Sequence, residues 1–233
     1  MSLELLSASA NYINWNDLHV GPIAFQIGSF AIRWYSLGYL AGILLGYWML
    51  SRMIKRPGSP MSQTHADDMI LYATLGIILG GRLGYAIFYD PALLTSVDIF
   101  KLWEGGMSLH GGTIGTIFAI WLFARRHKLS FLRMGDYIAC VIPFGLFLVR
   151  LANFANGELW GRVTDVSWAI RFNEKINGTY MLGPPRHPSQ LYEAAMEGVL
   201  MAAIMWPLFW KTDARYKPGF LFGTAALIYG LSR

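Results

Sequence analysis

Apolar residues run along this chain in blocks long enough to cross a bilayer, which takes about 17–25 residues of helix. Five such runs cover Phe30–Leu50, Met69–Tyr89, Ser108–Ala124, Met134–Phe154 and Leu191–Trp210, and a sixth starts near Phe220 and reaches Arg233. The pattern predicts an all-α fold, a polytopic transmembrane helix bundle of about six spans. Every second connection is basic: Arg52, Lys55 and Arg56 follow the first run, Arg125, Arg126, Lys128 and Arg133 the third, and Lys211, Arg215 and Lys217 the fifth. These connections hold ten of the nineteen Lys and Arg, against five (Lys101, Arg162, Arg171, Lys175 and Arg186) on the opposite side. By the positive-inside rule the basic loops are cytoplasmic and the N-terminus lies outside.

Four regions follow. Residues 1–29 form an N-terminal periplasmic or interfacial arm, 30–154 hold the first four spans, 155–189 make a small periplasmic head, and 190–233 hold the last two. Within the head, Ser167-Trp168-Ala169-Ile170-Arg171-Phe172 alternates as a strand does. Gly38, Gly42 and Gly46, and again Gly76, Gly80 and Gly84, stand four residues apart, the spacing that lets membrane helices pack backbone to backbone. Packing inside the bundle is the expected use, with dimerisation the alternative.

Composition removes the soluble alternatives. Of 233 residues, 55% are hydrophobic and only 14% charged, where soluble domains carry about 25% charged residues. A single cysteine, Cys140, excludes an internal disulfide framework and any multi-cysteine metal site. No metal or cofactor is expected. The net charge of +5 fits cytoplasmic loops and anionic lipid, so nucleic acid is not an expected partner. No Lys or Arg occurs in the first 30 residues, which include Glu4 and Asp17, so a cleaved leader is not expected.

The remaining arginines fall in or at the ends of spans, where a charge is costly and functional by default. At 1.5 Å of rise per residue, Arg82, Arg150 and Arg233 each lie about 20 Å up from the inner end of their spans. Arg33, Tyr35 and His110 start spans that descend from the same outer level. Arg33 reads as a snorkelling anchor beside Trp34. Arg82 is either a structural partner of Asp90 or Glu104 or a functional group. Arg150, followed by Asn153, Asn156 and Glu158, reads as functional, and Arg233 as functional or as an interfacial stop. Guanidiniums with few carboxylates at one depth make an anion site, and the phosphate available there is that of a phospholipid. His110 lies among glycines and is a candidate general base. Ser108 is not a lipase nucleophile, because the Gly-x-Ser-x-Gly elbow is broken at His110. His19, His65 and His127 are expected to be solvated.

The segments Gly80-Gly81-Arg82-Leu83-Gly84-Tyr85, His110-Gly111-Gly112 and Arg186-His-Pro-Ser-Gln-Leu-Tyr-Glu193 resemble those of the bacterial prolipoprotein diacylglyceryl transferases. So do Trp34-Tyr35 and the run Arg150-Leu-Ala-Asn153-Phe-Ala-Asn156-Gly157-Glu158-Leu-Trp-Gly161-Arg162. The resemblance extends from about residue 30 to the end. It implies transfer of the diacylglyceryl group of phosphatidylglycerol to the lipobox cysteine of a preprolipoprotein signal peptide, in the bacterial inner membrane and toward its outer leaflet. It implies His110, Arg150 and Arg233 as catalytic residues. As phosphatidylglycerol-binding residues it implies Arg150, Arg82, Tyr35, Asn153, Glu158, Gly161 and Tyr229. Ala152 departs from the pattern, which has Gly there. The resemblance also implies a seventh span beyond Arg233, with a carboxylate one turn past that arginine. The alternative from another class is a phospholipid-binding transporter or scramblase. The inner halves of the spans lack Arg and Lys, which favours an outward-facing site over a path across the membrane.

Overall fold

The computed structural model describes residues 12–28, 30–102, 105–176 and 179–233. Helices α1 (Trp34–Met53), α2 (Gln63–Phe88), α3 (Leu109–Arg126) and α4 (Phe131–Asn156) occupy the first four apolar runs. The fifth run is one continuous helix, Ser189–Lys211, made of α5 (Ser189–Glu193), a π-helical stretch (Ala194–Leu200) and α6 (Met201–Lys211). α7 (Phe220–Ser232) is the sixth.

The ends of these helices follow local chemistry rather than hydropathy. α2 starts six residues before Met69, because Ser62 Oγ accepts from the His65 amide at 3.2 Å while His65 Nδ1 accepts from the Ser62 amide at 3.3 Å. That reciprocal cap fixes the first turn. It also gives His65 a structural task, and its ring lies 5.1 Å from that of His127, so neither is the merely solvated group expected. α1 starts at Trp34 and not at Phe30, because Phe30–Arg33 is a strand.

Three helices, Gln63–Phe88, Phe131–Asn156 and Ser189–Lys211, are long and apolar enough to cross a membrane, and Phe220–Ser232 is a shorter apolar helix. The structure therefore supports a polytopic membrane bundle but not the full count of six on length and apolar character. α1 falls short because Trp34, Tyr35, Tyr39, Tyr47 and Trp48 have polar tips. α3 falls short because it ends in Arg125 and Arg126 and carries His110, two threonines and three glycines. Outward faces are apolar nonetheless: Leu71, Leu79, Ile114 and Phe118 are all more than half exposed, as lipid-facing positions are.

The fold is also not purely helical. β2 (Ile23–Ile27) and β3 (Phe30–Arg33) form an antiparallel pair. A second sheet has the order β1-β4-β5, with β1 (Ile13–Asn14) parallel to β4 (Ile170–Ile176) and β5 (Thr179–Arg186) antiparallel to it. The expected strand thus begins at Ile170 and runs further. Ile13 pairs with Ile170 and Asn14 with Arg171, so the 12–28 stretch is tied to β4 by main-chain hydrogen bonds.

The chain divides into two compact units, one of 1–48, 139–212 and 223–233, the other of 49–138 and 213–222. Each contains a glycine seam. In the first, Gly38 lies against the Leu148 carbonyl and Gly42 against the Gly145 Cα, so that an added methyl would meet each at 3.3 Å. In the second, Gly76, Gly80 and Gly84 of α2 meet Gly111 and Gly115 of α3. Packing within the bundle is the use the structure gives to both motifs.

In the second unit the fully buried Asp136 accepts from the amides of Gly219 at 2.8 Å and Phe222 at 2.9 Å, capping the start of α7. Asp136→Ala strands two amides at roughly 1–3 kcal/mol each. An expected loss of about 2–4 kcal/mol can be read from unfolding in detergent, and a loss below about 0.5 kcal/mol would mean that the amides find other acceptors.

Candidate active site

Within the first unit, Arg150 of α4 faces the π-helical stretch. Close approach is set by Gly198, where an added Cβ would lie 2.7 Å from that of Phe147, one turn before Arg150. Glu193 and Glu197, four residues apart, lie on one side of the helix, and π-helical stretches such as the one that follows Glu193 recur at functional sites. Arg150 Nη1 lies 2.7 Å from Glu193 Oε2, and its Nε and Nη2 each donate to Glu197 Oε2 at 3.2 Å. Arg233 Nη1 donates to Glu193 Oε1 at 2.9 Å and stands 3.9 Å from Glu197 Oε1. Arg150 and Arg233 are thus brought together, as their depth predicted.

The charge balance differs from the expectation. The two guanidiniums are met by two carboxylates, one of them, Glu197, fully buried. Arg150 is held by both carboxylates, with its side chain 14% exposed. Glu197 and the role of Glu193 escape the sequence reading, which weighed only arginines inside spans. The signal was present: two carboxylates four residues apart in an apolar run are as costly as the arginines, and each needs a partner.

Glu158, just past the end of α4, organises a second cluster in the same unit. Its Oε1 accepts from Asn153 Nδ2 at 2.9 Å and Asn156 Nδ2 at 3.1 Å, and its carbonyl accepts from Gln190 Nε2 at 2.5 Å. Asn153 and Gln190 are buried. The Gly161 amide donates to the His187 carbonyl at 2.9 Å, and a methyl on Gly161 would run into Ser189 Oγ. Tyr35 sits in the first turn of α1 with its ring 5.1 Å from that of Tyr39. Tyr229 on α7 is 38% exposed.

Arg82 and His110 belong to the second unit. Arg82 is 6% exposed and donates only to main-chain oxygens among the described residues: Ile99 at 2.8 Å, Gly105 at 2.6 Å, Gly106 at 3.1 Å, Asp98 at 2.6 Å and Lys101 at 3.3 Å. Arg82 thus clamps the main chain of Asp98, Ile99, Lys101, Gly105 and Gly106 onto α2. Of the partners expected for it, Asp90 is not one, and Glu104 lies outside the described residues. Gly106, at φ +75°, lies so close that a Cβ would come within 2.7 Å of Arg82 Nη1. Outside the clamp, the Lys101 ammonium 2.7 Å from Asp98 holds that carboxyl below its usual range. The clamped segment leads into α3, where Ser108 Oγ caps the Gly111 amide at 3.2 Å and the Ser108 amide donates to the Gly81 carbonyl at 2.9 Å. His110, exposed in that first turn, accepts no hydrogen bond from the described residues.

An arginine pair braced by two carboxylates suits a phosphoryl group, and the exposed imidazole of His110 suits proton transfer. Comparison with known proteins agrees. Residues 22–233 match the family profile described as prolipoprotein diacylglyceryl transferase. Three similar proteins share the name phosphatidylglycerol–prolipoprotein diacylglyceryl transferase. The one from Erythrobacter litoralis is 53% identical over 94% of this chain and 76% of its own length. That from Zymomonas mobilis subsp. mobilis is 46% identical over 100% and 83%, and that from Rhizobium leguminosarum bv. trifolii 49% over 92% and 77%. On a match that spans nearly the whole chain, this protein belongs to the prolipoprotein diacylglyceryl transferase family.

Proposed function

We infer that the chain moves the diacylglyceryl group of phosphatidylglycerol onto the thiol of a prolipoprotein cysteine, the first step of bacterial lipoprotein maturation. The observation that carries this reading is the arginine pair bridged by Glu193, with Arg150 braced by Glu193 and Glu197 together. In the reaction the cysteine sulfur attacks the glycerol carbon that bears the phosphate. A carbon–sulfur bond forms, the carbon–oxygen bond to phosphate breaks, and glycerol phosphate leaves with the bonding pair. No acyl group is attacked, so an oxyanion hole is not required.

The protein's part is to hold the phosphate, offset its growing charge and remove the thiol proton. Arg233 and the fork of Arg150 serve the first two tasks, because charge aimed at a leaving group is worth most where water is excluded. His110 serves the third, since a free cysteine with a pKa of about 8.5 is mostly protonated at neutral pH. Asn153, Glu158 and Gly161 shape the floor of the lipid site, and Tyr35 and Tyr229 flank it. On this reading the chain crosses the inner membrane six times, residues 155–189 form a periplasmic head, and the reaction takes place at the outer leaflet, where the lipid headgroup and the lipobox of the signal peptide both arrive.

Incubating the membrane-inserted protein with phosphatidylglycerol and a lipobox peptide, then weighing the peptide, tests the reading. A diacylglyceryl adduct on the cysteine is expected; lipid movement between leaflets without an adduct would favour a transporter. His110→Gln is expected to leave lipid binding intact and slow transfer about 10²–10⁴-fold. Raising the pH should partly restore the rate, because hydroxide then supplies thiolate. A loss of lipid binding as steep as the loss of turnover would make His110 a headgroup ligand.

A further inference from the structure

Glu158 consumes donors and leaves acceptors behind. Its carboxylate takes the Asn156 amide NH₂ and its carbonyl takes that of Gln190. Both amide groups are therefore oriented unambiguously, since a flip would set oxygen against oxygen. What remains is Asn156 Oδ1 and Gln190 Oε1, two buried atoms that no donor among the described residues reaches. Gln190 is 0% exposed. A buried acceptor without a donor is costly and calls for an explanation.

We propose that Gln190 and Asn156 form a hydroxyl-reading subsite for the glycerol headgroup of the phospholipid, and so set headgroup specificity. The proposal rests on the transferase reading and extends it to residues that reading does not use. An occupant of this subsite has to bring hydrogen-bond donors, which excludes phosphate oxygens and acyl esters. The headgroup of phosphatidylglycerol ends in two hydroxyls, matching the two oxygens left over. Placement along the helices agrees: Gln190 precedes Glu193 by three residues, about 4.5 Å of rise, and Asn156 follows Arg150 on α4. Asn153, whose amide also binds Glu158, braces the carboxylate that holds Asn156 in place.

The test compares phosphatidylglycerol with phosphatidyl-1-propanol, which has the same charge and phosphodiester but no headgroup hydroxyl. Each is supplied in vesicles to the membrane-inserted protein with a lipobox peptide, and kcat/KM is measured. Phosphatidylglycerol is expected to be the better substrate by about 10- to 100-fold, as two hydrogen bonds to buried neutral acceptors imply. In Gln190→Met, which keeps length and removes the acceptor, that ratio is expected to fall severalfold toward one. Equal rates for the two lipids in the unaltered protein would overturn the subsite, and would mean that the two oxygens are met by water alone. A Gln190→Met protein in which both rates drop by one factor would overturn it as well, in favour of a packing role. No adduct from phosphatidylglycerol in the unaltered protein would instead reject the transferase reading. The comparison of lipids needs no variant, so it stands even if Gln190→Met does not fold.

Discussion

Arg150→Lys is expected to lower diacylglyceryl transfer by about 10²–10³-fold, the loss typical when one preorganised donor to a developing charge is removed. The variant keeps the charge, so the effect isolates geometry. Arg150 meets Glu193 through Nη1 and Glu197 through Nε and Nη2, a planar fork that spans two carboxylates at once. A lysine ammonium is a compact point charge and cannot reproduce that fork. It is expected to satisfy one carboxylate, leave the buried Glu197 partly uncompensated and let Arg233 shift on Glu193. Transfer measured on folded, membrane-inserted protein, beside a detergent melting curve, separates the two consequences. Near-normal turnover would reduce Arg150 to an ion-pair residue with no part in holding the lipid.

The arginines inside apolar spans announce themselves in the sequence, but what each one does depends on partners the sequence does not display. Arg150 and Arg233 converge because helical rise sets both near one depth, and that arithmetic needs only the ends of the runs. Arg82 satisfies the same arithmetic with partners of another kind. Its partners are main-chain carbonyls of Asp98, Ile99, Lys101, Gly105 and Gly106, and a carbonyl has no residue identity to read. Glu193 and Glu197 were legible as carboxylates in a span, and their spacing of four sets them on one helix face; which arginines they meet depends on packing between helices, which no residue pattern marks. The same division holds for the fold. Long apolar runs and glycine spacing give the helices and their seams, because both are local. The β1-β4 pairing joins residues more than 150 positions apart, and short strands of that kind have no periodicity long enough to detect. Trp and Tyr raise a second ambiguity: in α1 they are apolar enough to continue a run by eye and polar enough to withhold the character of a plain span.

Gly80 is expected to be the least tolerant of the glycines that α2 contributes to its seam with α3. A Cβ built there would run into the Gly111 carbonyl oxygen and lie 2.7 Å from Gly115 Cα and 3.1 Å from Gly115 N. All three are backbone atoms, so no rotamer change relieves the clash and the helices have to separate. Neighbouring contacts go with them, since Gly76 and Gly84 rest on the same partner helix. Overpacking costs about 1–3 kcal/mol where side chains can adjust; Gly80→Ala is expected at or above the top of that range and Gly80→Val to yield no folded protein. The effect reaches the chemistry, because His110 is adjacent to Gly111 and loses its position when the seam opens. Gly223 on α7 is the control, with nothing within 4 Å of an added Cβ. Gly223→Ala is expected to be neutral or to stabilise by up to about 1 kcal/mol through helix propensity. Melting temperatures of the two alanine variants in the same detergent provide the measurement. Equal tolerance at both positions would mean that α2 and α3 are not held backbone to backbone, and that something other than the seam sets the position of His110.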